Sequence, residues 1–166
     1  MTDINIRKAR ENEMQEILRI YEKARSFMRK NGNMNQWING YPGEKDILKD
    51  MAAGNLYVAE SRDGELLCVF AFIKGEEPTY REIDGKWLND LSYGTIHRIA
   101  SSGKVSGMLD RCIDFCLKET DNIRIDTHAD NIPMQNALRR NGFVRCGVII
   151  CSDGTPRVAY QSSRER

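Results

Sequence analysis

The stretch from Tyr93 to Thr127 restricts the fold of this chain more than any other part of it. Tyr93 to Ala100 is rich in β-formers and reads as a strand. It runs into a turn of small residues, Ser101-Ser102-Gly103, and then into Ser106 to Glu119, which has helical periodicity. Ile123-Arg124-Ile125-Asp126-Thr127 follows as another strand. A strand, a helix and a strand in that order imply a right-handed crossover between parallel neighbours. Hairpin signals flank this unit. Asp63-Gly64 separates Leu56–Ala59 from Leu66–Ile73, and Asp153-Gly154 separates Phe143–Cys151 from Arg157–Tyr160. The sheet is therefore expected to be mixed rather than wholly parallel.

The remaining segments fit around that sheet. Ile4-Asn5-Ile6-Arg7 alternates as an opening strand does. Asn12 is a candidate cap for a helix to about Lys30, with Met14, Ile17, Leu18, Tyr21 and Phe27 near its apolar face, stopped at Asn31-Gly32-Asn33. A loop holds Trp37 to Gly43, and a second helix is expected over Glu44 to Ala53. Gly75 to Asn89 is polar and reads as a long loop; Asn131 to Asn141 reads as a short helix. The expected fold class is α/β (mixed α+β), in the order β-α-α-β-β-β-α-β-α-β-β. With 166 residues, no repeat and no linker, one domain over 1–166 is expected.

The net charge of +1 provides no strong electrostatic case for nucleic acid or a membrane surface as partner. The first thirty residues carry Arg7, Lys8, Arg10, Glu11, Glu13 and Glu16, so no signal peptide is read there, and a cytoplasmic protein is expected. The five cysteines form no CxxC pair, which argues against zinc or redox motifs, and no metal is expected. Cys112 and Cys116 lie one helical turn apart among Leu109, Ile113 and Leu117, as buried thiols on an apolar stripe do.

The turn after the Tyr93 strand leaves backbone N–H groups at the positive end of a helix, where a phosphate can be held. Gly107 lets the backbone approach an anion, and Lys104 adds positive charge. A tight turn with nothing bound is the alternative on this segment alone. The next segment, Asp126 to Phe143, resembles the signature of the GNAT N-acetyltransferase family: an Asn opening a helix, a small or apolar residue three later, and Gly-Phe eleven and twelve later. Asn131, Met134, Gly142 and Phe143 match it in register. Lys104-Val105-Ser106-Gly107-Met108-Leu109 then resembles the family's phosphate loop, Arg/Gln-x-x-Gly-x-Gly/Ala, with Leu109 departing in the last slot.

The resemblance implies a mixed central sheet with helices on both faces and acetyl-CoA as co-substrate. It implies cofactor contacts from Ile99, Ser101, Lys104, Val105, Ser106, Gly107, Met108, Leu109 and Asn131. The pantetheine arm would insert between splayed fourth and fifth strands, and an N–H near Ile99 would polarise the thioester carbonyl. A primary amine of a small molecule or peptide would attack directly in a ternary complex. Trp37 and Tyr41 would wall the acceptor pocket, or else anchor the loop. Pairing into a homodimer through the last hairpin is common in the family.

Many members carry a Tyr seven residues after the motif Asn, where this chain has Leu138, which donates no proton. His97 and His128 are the only histidines and are the candidate bases, with Asp126 expected to orient His128; a structural histidine is the alternative for each. Arg139 and Arg140 either reach a CoA phosphate or form a solvated helix face. Leu109 and Leu138 are the residues that favour a second reading, a non-catalytic acyl-CoA-binding or interaction module.

Overall fold

The crossover expected from the sequence is present. In the computed structural model, which describes residues 3–164, β5 (Gly94–Ser101) runs parallel to β6 (Asn122–Thr127), and α3 (Met108–Cys116) connects them. Numbered along the chain, the other strands are β1 (Ile4–Lys8), β2 (Leu56–Ser61), β3 (Leu66–Lys74), β4 (Asp84–Gly85), β7 (Val144–Ile150) and β8 (Pro156–Ser163). The eight form one sheet in the order β1-β2-β3-β5-β6-β8-β7-β4, antiparallel everywhere except between β5 and β6. The last hairpin is turned so that β8, not β7, lies against β6.

Helices cover both faces. α1 (Met14–Lys30) and α2 (Glu44–Ala52) pack on one side, where Ile17, Tyr21 and Ile47 meet Val69 and Ala71 of β3. α3 and α4 (Ile132–Arg140) pack on the other, where Cys112, Ile113 and Leu138 meet Phe70 and Phe72. β3 is buried from Leu66 to Phe72 because alternate side chains enter two different cores. Cys68, Cys112 and Cys116 are free and fully buried. The Cys68 contact and burial push the Cys112 thiol well above its ordinary pKa, and burial pushes Cys116 up to about 12. Neither is a nucleophile at neutral pH.

Four sequence expectations shift. Asn12 lies in a 3-10 turn, Glu11–Glu13, rather than capping α1, and the N–H of Arg10 there donates to the Glu13 carboxylate at 2.8 Å. Phe27 is 56% exposed, and Ile20 and Met28 take the buried positions instead. α3 starts two residues later than Ser106, because Gly107 adopts a left-handed φ of 76° that ends the turn before the helix begins. The polar stretch 75–89 is not wholly irregular. It contains a 3-10 turn at Pro78–Tyr80 and the strand β4, and it buries Tyr80 against Ile149 and Ala159. β4 approaches β7 so closely that a Cβ on Gly85 or Gly147 would lie 2.1 Å from a backbone oxygen of the other strand.

The helix after the motif Asn forms as expected. The Asn131 side chain accepts from the N–H of Met134 at 3.2 Å, and Pro133 occupies the first turn, where its missing N–H costs nothing. At the other end Phe143 N–H donates to Leu138 carbonyl, and Gly142 N–H to Arg139, both at 3.0 Å, closing a Schellman cap.

Candidate active site

β5 and β6 pair only at Gly94 with Ile123 and at Thr95 with Arg124, then part. Above the parting lies a cleft of about 680 Å³. β5 contributes Ile96 to Ile99, β6 contributes Ile125 to Thr127, and the loop between α1 and α2 contributes Trp37, Ile38 and Tyr41. The strands have no reason to stay apart in sequence alone. Beside the parting, β5 is irregular.

That irregularity is a bulge. Along β3, Val69 opposes Ala100 and Ala71 opposes His97, so three steps on β5 span two on β3. Arg98 lies inside the bulge with φ at +52°, a conformation that costs a non-glycine residue about 1–3 kcal/mol. Its side chain is held by Asp50 of α2. Nε donates to one carboxylate oxygen at 2.8 Å and Nη2 to the other at 2.7 Å. Nη1 donates to the Tyr41 hydroxyl at 3.0 Å, while the buried Tyr21 hydroxyl donates to the Arg98 carbonyl at 2.8 Å. Four groups from α1, α2, the loop and β5 therefore fix the backbone on which Ile99 stands.

The turn after β5 has the features a phosphate needs. Among the described residues, no protein atom accepts from the N–H groups of Val105 to Asp110, and the first helical bond of α3 runs from Arg111 to Gly107. A Cβ on Gly107 would meet nothing within 4 Å, so the space in front of the turn is open. The bulk of Leu109 does not block it, since that side chain packs on the core. Lys104 forms an exposed ion pair with Glu65 rather than standing free. Ser101 pairs with Cys68 on β3, and its hydroxyl accepts from Gly103 at 3.1 Å.

The two histidines differ in position. His97 lines the cleft, and its Nε2 lies 3.3 Å from Glu77. The His97 bond and then the Thr79 hydroxyl pull the Glu77 pKa down to about 2 despite burial, so this carboxylate stays ionised. His128 follows the last residue of β6 and is not among the residues that line the cleft. Its Nδ1 accepts the Asp130 N–H at 3.1 Å, which helps form the turn into α4. Asp126 does not orient it: that carboxylate lines the cleft and accepts from the buried Tyr80 hydroxyl at 2.6 Å. The side chains at 126 and 128 part because β6 has ended at Thr127, where strand alternation no longer holds.

The other expected residues divide likewise. Trp37 and Tyr41 line the cleft, Trp37 edge-on to Tyr21 at 5.6 Å and Tyr41 bonded to Arg98. Asn131 lines it too, but its amide is used within the protein, capping α4 and donating to Gln36 at 3.1 Å. Leu138 is fully buried in the core, far from any role in proton transfer. Arg139 is engaged with Asn136 and, at 3.4 Å, with the Tyr160 hydroxyl. Asp50, Glu77, Tyr80 and Gln36 escaped the sequence reading. Asp50 alone left a signal, a charged residue on the inward side of a short helix.

No family model and no curated protein matches the chain. Solved structures do. A GNAT-family acetyltransferase from Streptococcus agalactiae is 36% identical, over 98% of this chain and 96% of that one, with a TM-score of 0.88. An acetyltransferase of the same family from Listeria monocytogenes is 19% identical over 96% and 94%, with a TM-score of 0.71. An aminoglycoside acetyltransferase in complex with coenzyme A and kanamycin is 17% identical over 98% and 96%, with a TM-score of 0.65. The parted parallel strands and the likeness to the Streptococcus agalactiae acetyltransferase define an acyltransferase. The chain belongs to the GNAT acetyltransferase family, whose fold supports acyl transfer from acetyl-CoA.

Proposed function

We propose that the protein transfers the acetyl group of acetyl-CoA to a primary amine of a small molecule or peptide by direct attack in a ternary complex. The observation that carries this reading is the bulged β5 beside the parted β6, with an open, N–H-lined turn at one end and an ionisable cleft at the other. The pyrophosphate is received by the backbone of Lys104 to Leu109, and the pantetheine arm by Ile99 and Ser101. The Ile99 N–H polarises the thioester carbonyl. His97, held by Glu77, takes a proton from the incoming ammonium; this role passes to it from His128, which lies outside the cleft lining. The free amine then forms the N–C bond, the C–S bond breaks, and the second amine proton passes to the leaving sulphur. Positioning and stabilisation of the oxyanion supply most of the acceleration.

The test is thiol release from acetyl-CoA across a panel of amines, run beside a thermal shift with CoA alone. CoA at about a hundredfold over its dissociation constant is expected to add roughly 2.7 kcal/mol. Binding without turnover on any amine would instead favour an acyl-CoA-binding module. Neither binding nor turnover would overturn the reading altogether.

Gly107→Glu separates the turn from the rest. The new side chain enters open space, with a strain of about 1–2 kcal/mol for left-handed backbone, and sets a carboxylate where the pyrophosphate belongs. The expected outcome is a folded protein that binds CoA at least about tenfold more weakly, one lost charge-assisted contact being of that order. Calorimetry that finds unchanged affinity would remove the turn from the site.

A further inference from the structure

β6 alternates. Ile123 and Ile125 enter the core beside α3 and α4, while Arg124 and Asp126 point to the opposite face. Asp126 reaches the acetyl-transfer cleft; Arg124 lies two residues earlier under the chain that follows β3. There its guanidinium is held between two rings, 4.2 Å from the centre of Trp87 and 4.0 Å from that of Tyr93. The residue is 6% exposed. Nη2 donates to the Asn89 carbonyl at 2.9 Å, and the buried Nε has no hydrogen-bond partner.

No carboxylate lies within ion-pair distance of Arg124 among the described residues. The other arginines with largely buried side chains are answered: Arg7 by Glu13 and Glu60, Arg98 by Asp50, and Arg157 by Asp153 at 3.7 Å. Arg29, which also lacks a carboxylate, donates to three carbonyls. Arg124 is thus a buried cation with rings on its faces and no counter-ion. Two aromatic quadrupoles offset part of its desolvation but not all of it. Burial accordingly holds this guanidinium below its ordinary pKa.

The guanidinium borders a cavity of about 370 Å³, within the range of small-ligand sites and lined also by Tyr80, Trp87 and Tyr93. Of its acidic neighbours, Glu76 is already paired with Arg81 at 2.8 Å, and Asp90 is exposed. One positive charge with an acid at the rim suits a single negative charge better than two. A planar guanidinium suits a carboxylate. We propose that this cavity is a second ligand site, separate from the acetyl-transfer cleft, and that it binds a small monocarboxylate through Arg124. The site is independent of the reading of the cleft.

Trp87 reports on it directly. The chain has two tryptophans, so Trp37→Phe leaves Trp87 as the sole emitter. This protein is titrated with sodium acetate, sodium butyrate, sodium phosphate and sodium chloride at constant ionic strength. A saturable change in Trp87 emission with both carboxylates, weaker with phosphate and absent with chloride, is the expected result. Adding Arg124→Lys should weaken it about tenfold, the loss of one charge-assisted bond, and Arg124→Gln should abolish it. Should Arg124→Gln not fold, the Lys variant and the thermal shift produced by butyrate in the Trp37→Phe protein carry the comparison. Equal responses to carboxylate and chloride, tighter binding of phosphate, or an undiminished response in Arg124→Lys would each overturn the proposal.

Discussion

His97→Gln is expected to lower turnover about a hundredfold or more on a responsive amine, with CoA affinity close to that of the unaltered protein. The expectation rests on position. His97 stands on β5 one residue before the bulge, faces the cleft, and is held 3.3 Å from Glu77. Glu77 is itself fixed, accepting from both the hydroxyl and the N–H of Thr79 at 2.8 and 3.2 Å. Glutamine keeps a polar side chain in the cleft but accepts no proton at neutral pH. The acidic limb of the pH–rate profile, which reports protonation of the base, should therefore disappear along with the rate. His128→Gln should leave both nearly intact, because that ring serves the turn into α4. The reverse pattern would return the role to His128. The Glu77–His97 bond also links pH to stability. With the Glu77 pKa lowered from 4.5 to about 2, its contribution is fully present above 4.5 and is lost as pH falls toward 2.

The second large effect is expected at Asp50. Asp50→Ala removes both oxygens that bind the Arg98 guanidinium and leaves a largely buried cation unanswered. Breaking one partner of such a pair costs about 3–5 kcal/mol. A melting temperature about 10 °C lower follows for a chain of this size. The loss should not stop at stability. Arg98 holds a left-handed backbone in the middle of a strand, and with its anchor gone the strain of that conformation favours its relaxation. On the proposed mechanism, relaxation would move the Ile99 N–H from the position assigned to the thioester carbonyl, so turnover per folded molecule should fall while CoA affinity, assigned to the turn, is retained. A denaturant titration showing less than about 1 kcal/mol of loss would mean that the pair is too well solvated to matter. Full turnover in a destabilised protein would mean that β5 keeps its bulge without Asp50.

The contrast between Asp50 and the motif residues shows where sequence reading reached. As caps of α4, Asn131, Pro133 and Gly142 act through bonds spanning a few residues, so their spacing along the chain carries that role. Gly107 and the run from Ser101 are equally local, and the turn they form depends on no tertiary contact for its legibility. Asp50 and Arg98 are forty-eight positions apart and meet only because α2 crosses β5. Glu77 and His97 are twenty apart, joined by a loop whose composition reads only as polar. The expectation that Asp126 orients His128 failed for the same reason. It extended strand alternation one residue past the end of β6, and a buried tyrosine forty-six positions away took the carboxylate instead.

The order of the helices and of every strand but β4, the crossover between β5 and β6, the caps of α4 and the turn after β5 are written in the amino-acid sequence. Each depends on hydrophobic periodicity or on hydrogen bonds within a few residues, and those are properties of a short window of chain. The tertiary structure alone decided which histidine faces the cleft, which carboxylate holds it, where β5 bulges, and that Arg124 is buried without a counter-ion. These depend on which side chains are brought together across the sheet. A charge separated from its partner by twenty to fifty residues leaves no periodic trace, so only the fold reveals whether it is answered.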